Sequence, residues 1–150
     1  MIQHAADPAL TTLSTSYYVW QLLGQHIITR TLPTTSDIGY GPLYYVAGRN
    51  DQSKSYIFKA AVYNSTNEAD VPVSVKFPGV APGAVAQLTI LSGPENPYGY
   101  NDPFTRVNVV ETTKKNVSAG VDGSFSFSLP NLSVAVLQTA IQGCKKKRTA

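Results

Sequence analysis

The sequence predicts an all-β protein, an antiparallel β-sandwich preceded by one α-helix. Seven or eight short segments alternate apolar and polar residues, with turn-forming residues about every ten positions. Nine Tyr and five Phe, many beside Val or Ile, also favour strands. No helical pattern interrupts these segments, which disfavours a parallel α/β sheet. Jelly-roll and immunoglobulin-like topologies both stay open on these grounds.

The single helical segment precedes the strands, at about residues 15–27. Ser14 or Ser16 can accept a hydrogen bond from a first-turn amide, and Gly24 is a plausible stop. Its apolar residues recur at helical spacing and form one face: Tyr18, Val19, Leu22, Leu23 and Ile27. Such a face must be covered. Either the helix packs on the sandwich, or it belongs to a larger unit and has no partner within this chain.

The first three strands are defined by alternation and by the turns between them. Residues 42–48 lead into a turn at 49–53, and the second strand follows at 55–63. That strand places one set of residues on a single face: Tyr56, Phe58, Ala60 and Val62. The third strand, 71–77, contains Pro72, which cannot donate a ladder hydrogen bond and therefore predicts an edge position.

The remaining strands are shorter and less regular. Residues 84–91 carry Ala86, Leu88 and Ile90 on one side, and a long loop, 92–105, follows. We predict a fifth strand at 107–110 that ends at Glu111, and a short one around Val117. The last two are predicted where apolar residues alternate again: Phe125, Phe127 and Leu129, then Leu132, Val134, Val136 and Leu137.

Composition excludes several classes of function. Four of the twelve basic residues lie at 145–148, in a tail at 140–150 that we expect to be solvated, so no basic surface for nucleic acid is predicted. No run reaches the ~20 apolar residues of a membrane span. Cys144 is the only cysteine, and His4 and His26 are the only histidines. We therefore predict no disulfide, no metal and no cofactor.

Three glycosylation sequons begin at Asn64, Asn116 and Asn131. Together they favour a secreted parent protein. The residues after Met1 include neither a basic region nor an apolar stretch, so no signal peptide is predicted for this chain.

No catalytic residue is predicted. A glycosidase needs two facing carboxyl groups, about 5 Å apart for retention or ~6.5–9.5 Å for inversion. The three glutamates, Glu68, Glu95 and Glu111, are scattered over a turn, the long loop and a strand end, and nothing in the sequence brings two of them together.

The loop at 92–105 is the candidate binding feature. Tyr98 and Tyr100 could stack on a sugar ring while Asn101 bonds to its hydroxyls. The alternative is a proline-braced loop whose rings pack on a neighbouring domain.

The segments 16–23, 92–103 and 125–137 resemble the C-terminal end of fungal α-L-arabinofuranosidases of glycoside hydrolase family 51, and the likeness covers roughly residues 5–139. The resemblance implies a barrel remnant at 1–32, a linker at 33–41, a jelly-roll-like sandwich at 42–139 and the tail at 140–150. An immunoglobulin-like adhesion domain would explain the strands but not the helix.

The resemblance also implies the partners. Family members remove terminal arabinofuranosyl residues with retention, using two glutamates on a (β/α) barrel, and no residue of this chain matches those glutamates. The expected partners are that barrel and an arabinose-containing polysaccharide. Because the sandwich of this family also uses residues that precede the barrel, we expect an unpaired sheet edge, a bare helix face and poor solubility of the chain alone.

Overall fold

The computed structural model describes residues 2–3, 9, 11–37, 39–94, 99–102, 104–105 and 108–139. In chain order its elements are β1 (Ile2–Gln3), β2 (Thr12–Leu13), α1 (Thr15–Gln25), β3 (Arg30–Thr31), β4 (Leu43–Asn50), β5 (Ser55–Val62), a 3-10 turn (Thr66–Glu68), β6 (Val71–Lys76), β7 (Val85–Ser92), β8 (Glu111–Ser118), β9 (Ser124–Leu129) and β10 (Ser133–Thr139).

Every strand pair among the described residues is antiparallel. The main sheet has six strands in the order β3-β4-β5-β10-β7-β8, and β6 pairs with β9 in a second sheet. A small third sheet joins β1 to β2. The predicted all-β class with one helix ahead of the sandwich is confirmed.

Strand register aligns one end of the six-stranded sheet. Leu43 is opposite Val62, Val62 is opposite Ser133, Ser133 is opposite Ser92, and Ser92 is opposite Glu111. We call this row, with the connections that leave it, the loop end of the sheet. The turn at 51–54 lies at the opposite end.

The first core lies between the two sheets. Phe125 and Leu129 of β9 are fully buried against the six-stranded sheet, where Leu88 and Leu137 are also fully buried. Serines separate Phe125, Phe127 and Leu129 in sequence, so one face of β9 is apolar while Ser126 and Ser128 are exposed.

The second core lies on the other face of the six-stranded sheet and is covered by α1. Leu22 packs with Ile57, Leu91, Val110 and Val136. The helix therefore packs on the sandwich, which is the first of the two alternatives. The expectation that its apolar face has no partner within this chain was wrong.

Polar contacts fix the end of the helix to the same sheet face. Lys59 Nζ donates to the carbonyl oxygen of Leu23 at 2.7 Å, which places a cation at the helix C-terminus. Burial lowers the pKa of Lys59 from its ordinary value. His26 Nδ1 hydrogen-bonds Gln138 Oε1 at 2.6 Å.

The structure corrects the predicted end of the helix and the predicted strand after the long loop. The helix runs through Gly24 and ends at Gln25, and Ile27 is exposed beyond it. The strand that follows the long loop begins at Glu111, where the prediction ended one, and Asn108–Val110 are not in a strand. Residues 111–118 show no burial alternation because β8 is the solvated edge of the sheet.

The edge position predicted from Pro72 is confirmed, since β6 pairs only with β9 among the described strands.

We predict that Leu22→Ala lowers the free energy of unfolding by about 2–5 kcal/mol, because it empties a buried site between helix and sheet. Trp20→Ala, on the exposed side of the same helix, should change it by about 0.5 kcal/mol or less. Urea denaturation followed by circular dichroism measures both. Equal losses for the two variants would contradict the helix packing described here.

Candidate functional site

A cleft opens at the loop end of the six-stranded sheet, between the connections to β7, β8 and β10. Its volume is about 680 Å³. Gly93 forms part of its wall, because its amide donates to the Leu132 carbonyl oxygen at 2.8 Å. A Cβ at Gly93 would lie 2.8 Å from that oxygen, so only glycine permits this approach. Pro94, Val109 and Leu132 supply apolar lining.

The polar lining of the cleft consists of Asn108, Glu111 and Asn131 together with Ser92. The Asn108 side-chain oxygen accepts from the Val110 amide at 3.1 Å, and that of Asn131 accepts from the Ser65 amide at 3.1 Å. These bonds orient both side chains. Among the described residues, the lining therefore combines amides, apolar side chains and one carboxylate.

Among the residues that the structure describes, Glu111 is the only carboxylate of the cleft, whereas glycoside hydrolysis uses an opposed pair. Asp102 and Asp122 have shifted pKa values, and both shifts are downward. Hydrogen bonds from the Phe104 amide and the Thr105 hydroxyl lower the pKa of Asp102, and those from the Ser124 hydroxyl and amide lower that of Asp122. An acid catalyst needs the opposite shift.

Other predicted groups are placed as follows. Several of them lie outside the described residues: Glu95, His4, Tyr98, Cys144, the tail at 140–150 and the side chain of Glu68. Within the described ranges, no cluster of three or more His, Cys, Asp or Glu side chains could hold a metal ion. In the same part of the chain, no helix is long and apolar enough to cross a membrane.

The two described residues of the predicted sugar contact have different roles. Tyr100 is 60% exposed, but Asn101 is only 3% exposed. Asn101 Nδ2 donates to the Leu13 carbonyl oxygen at 2.8 Å, and its Oδ1 accepts from the Val109 amide at 2.9 Å. Asn101 therefore ties the loop to β2 and to the cleft wall, and these contacts remove its amide from the surface.

The three predicted glycosylation positions differ in accessibility. Asn64 is exposed in a turn with φ +59°, and Asn116 is exposed on the edge strand β8. Asn131 is half-buried at the cleft and holds the Ser65 amide. Occupancy of all three sequons stays a prediction.

Sequence reasoning missed the cleft residues Asn108 and Asn131. The sequence identifies Asn131 only as a sequon, although a position between Pro130 and the next strand is typical of a turn. Nothing in the sequence pattern indicates that this turn and Asn108 line one cleft. They do so because β10 and β8 both pair with β7.

A family model described as the α-L-arabinofuranosidase C-terminal domain matches residues 1–133. The chain belongs to this family. It is 36% identical over 137 residues to a probable α-L-arabinofuranosidase A of Aspergillus terreus, and 38% identical over 138 residues to α-L-arabinofuranosidase A of Aspergillus niger. Each match covers 91% of this chain and 20% of the relative, so the chain spans about a fifth of the length of these curated relatives.

Solved structures show the same fold at lower identity. An arabinose-bound α-L-arabinofuranosidase, MgGH51, has a TM-score of 0.72 at 20% identity, covering 89% of this chain and 20% of that one. The family 51 enzyme of Thermotoga petrophila has a TM-score of 0.69 at 18% identity, covering 91% and 31%. The resemblance inferred from the sequence is confirmed.

We predict that Asn101→Ala lowers the free energy of unfolding by about 1–3 kcal/mol, because it leaves the Leu13 carbonyl and the Val109 amide without their partner. The neighbouring Tyr100→Ala should cost about 0.5 kcal/mol or less, since its ring is exposed. Denaturant titration compares them. A neutral Asn101→Ala would rule out the structural role given to this amide.

Proposed function

We propose that this domain supports the catalytic barrel of an α-L-arabinofuranosidase, which removes terminal α-L-arabinofuranosyl residues from arabinan or arabinoxylan. In this proposal residues 1–32 adjoin the barrel, 33–41 link, and 42–139 form the sandwich. The observation that carries it is the outer face of α1. Trp20 is 71% exposed there although Leu22, two residues along, is buried.

The outer face of α1 has the chemistry of an interface. Trp is enriched among residues that dominate binding energy. Gly24, one turn after Trp20, has open space around it, because a Cβ there would meet nothing within 4 Å. An aromatic ring beside a glycine notch suits close packing against another helix. This supports docking of the barrel on the side of α1 that faces away from the sheet.

The second sheet supplies a further argument for a partner. Among the described strands, β6 and β9 pair only with each other, so each has one edge open. Open edges are sites where another strand adds or where chains associate. A strand from elsewhere in the parent enzyme would complete this sheet, as the family resemblance implies.

The domain itself is proposed to be inactive, because the described residues of its cleft include one carboxylate, Glu111, where retention or inversion needs two. The parent is proposed to be extracellular. Its fungal relatives and the sequons at Asn64, Asn116 and Asn131 support that location.

A chimera tests the support role. We expect the A. niger enzyme to keep hydrolysing p-nitrophenyl α-L-arabinofuranoside when its matching region is replaced by this chain, while the isolated chain releases no p-nitrophenol. Trp20→Ala should destabilise the chimera by about 2 kcal/mol, because it removes an interface anchor. Thermal unfolding and initial rates are the measurements.

Val121→Ala is the matched control for that chimera, since Val121 is exposed in a turn away from α1. It should leave the unfolding midpoint unchanged. Turnover by the isolated chain, or equal thermal midpoints for the chimera and its Trp20→Ala variant, would contradict the proposal.

A second candidate function is carbohydrate binding by the 92–105 loop. One observation favours it: buried Asn101 fixes the backbone directly beside the exposed ring of Tyr100. A ring held in this way can stack on a sugar with little loss of conformational entropy.

For this second candidate, we expect Tyr100→Ala to weaken binding of arabino-oligosaccharides by about three- to tenfold and Tyr100→Phe to preserve it, because the ring face supplies the contact. Isothermal titration calorimetry measures both affinities. Unchanged affinity in Tyr100→Ala would exclude the loop as the sugar contact.

A further inference from the structure

A column of three aromatic rings rises from the core to the surface at the start of β4. Tyr40 stacks on Tyr45 with ring centroids 5.0 Å apart and 24° between the planes. Tyr45 stacks in turn on the buried Phe58, at 6.0 Å and 23°. Tyr40, the outermost ring, is 69% exposed. One of its faces is therefore packed on protein, and the ring remains open to solvent.

The backbone below Tyr40 is fixed by a tight connection. Gly41 has φ +91°, which only glycine adopts without strain, and its amide donates to the Leu43 carbonyl oxygen at 3.1 Å. The Tyr63 amide donates to the Pro42 carbonyl oxygen at 3.0 Å. These bonds attach the segment at 40–42 to both β4 and the end of β5. The ring of Tyr40 is thus presented on a rigid base.

Further aromatic rings lie at the same end of the sheet as the column. Tyr44 and Tyr63 expose further phenol rings at the same end of the sheet. The ion pairs that Arg30 and Arg49 make with Asp51 lie at the opposite end. Phenol rings with hydroxyl groups and no charge suit a neutral ligand that has both apolar faces and hydroxyls, which is the chemistry of a sugar.

Strand register connects this column to the cleft. Tyr40 precedes β4, and the cleft lies between the ends of β10, β7 and β8 in the same row. Four strand spacings separate β4 from β8, or roughly 19 Å. Between them lies Asn131, whose side chain joins the end of β5 to the cleft through the Ser65 amide.

We propose that the loop end of the six-stranded sheet binds a neutral oligosaccharide chain, which stacks one unit on Tyr40 and extends toward the cleft at Asn108 and Asn131. This site is separate from the barrel contact proposed at Trp20 and from Tyr100 on the long loop. It would hold the polymer without cleaving it, because the described lining of the cleft has one carboxylate, Glu111.

Native affinity electrophoresis of the full chain in gels with arabinan or arabinoxylan tests the proposal, followed by calorimetry with arabino-oligosaccharides and with arabinose. The chain is produced in a bacterial host so that no glycan occupies Asn64, next to Tyr63, or Asn131 in the cleft. We expect retardation by the polymers, and tighter binding of oligosaccharides than of arabinose.

Tyr40→Ala should weaken binding about three- to tenfold, because it removes the ring on which the sugar stacks. Tyr40→Phe keeps the ring and should preserve binding. Val121→Ala is the control, since Val121 is exposed in the turn after β8, at the opposite end of the sheet from Tyr40, and it should bind as the unsubstituted chain does. Circular dichroism verifies that each variant is folded. Asn131→Ala provides a second variant, with weaker binding expected for long ligands only.

Three results would overturn the inference. The first is no binding of either polymer by the parent chain, and the second is equal affinities for the parent chain and Tyr40→Ala. The third is loss of barrel association in the Tyr40→Ala chimera with sugar binding intact, which would make the column a protein interface. If the support role at Trp20 fails instead, the chimera shows it and the sugar titrations are unaffected.

Discussion

Burial of the six-stranded sheet on both faces is the constraint on which the other features depend. Its central strands β5, β10 and β7 carry apolar residues on alternate sides, with Phe58, Leu137 and Leu88 facing one layer and Ile57, Val136 and Leu91 facing the other. A sheet of this kind needs two covers. The two strands β6 and β9 provide one and helix α1 the other, so the helix is an integral layer of this fold, whatever else it contacts.

This layering separates the surfaces that remain. The helix uses the side of Leu22 for the sheet, which leaves the side of Trp20 outward. The β6–β9 sheet has its open edges in the opposite layer. At the loop end, Val109 and Val110 pack into the core under α1, whereas the segment at 40–42 attaches to β4 and to the end of β5. Docking of a large partner on α1 would leave Tyr40 accessible, because its column packs on the first core, on the other face of the sheet from α1. Support of a barrel and contact with a polymer are compatible because they need different sides of the molecule.

Sequence patterns predicted the elements that are buried on at least one face. The strands with Phe58, Leu88 and Phe125 were located to within one or two residues because period-two burial leaves a visible alternation. Of strand β8, only the end around Val117 was predicted. Its residues Thr112 to Asn116 are all exposed, and they form a strand because the backbone of β7 offers them hydrogen-bond partners. The residues that α1 contacts could not be predicted either, because residues such as Ile57 and Val136 become neighbours only through tertiary packing.

The candidate site shows the same limit at the level of single side chains. Asn101 and Tyr40 lie in similar polar, aromatic segments, and the sequence favoured Asn101 as the ligand contact. The structure buries that amide between Leu13 and Val109, where it organises the loop, and lifts the ring of Tyr40 on a stacked column. Burial therefore gives Asn101 a structural role, whereas the ring of Tyr40 is exposed at the surface. The row at the loop end joins five connections that are distant in the chain, and only the register of Leu43, Val62, Ser133, Ser92 and Glu111 makes it one surface. A binding surface of this kind is a property of strand pairing, which no local motif records.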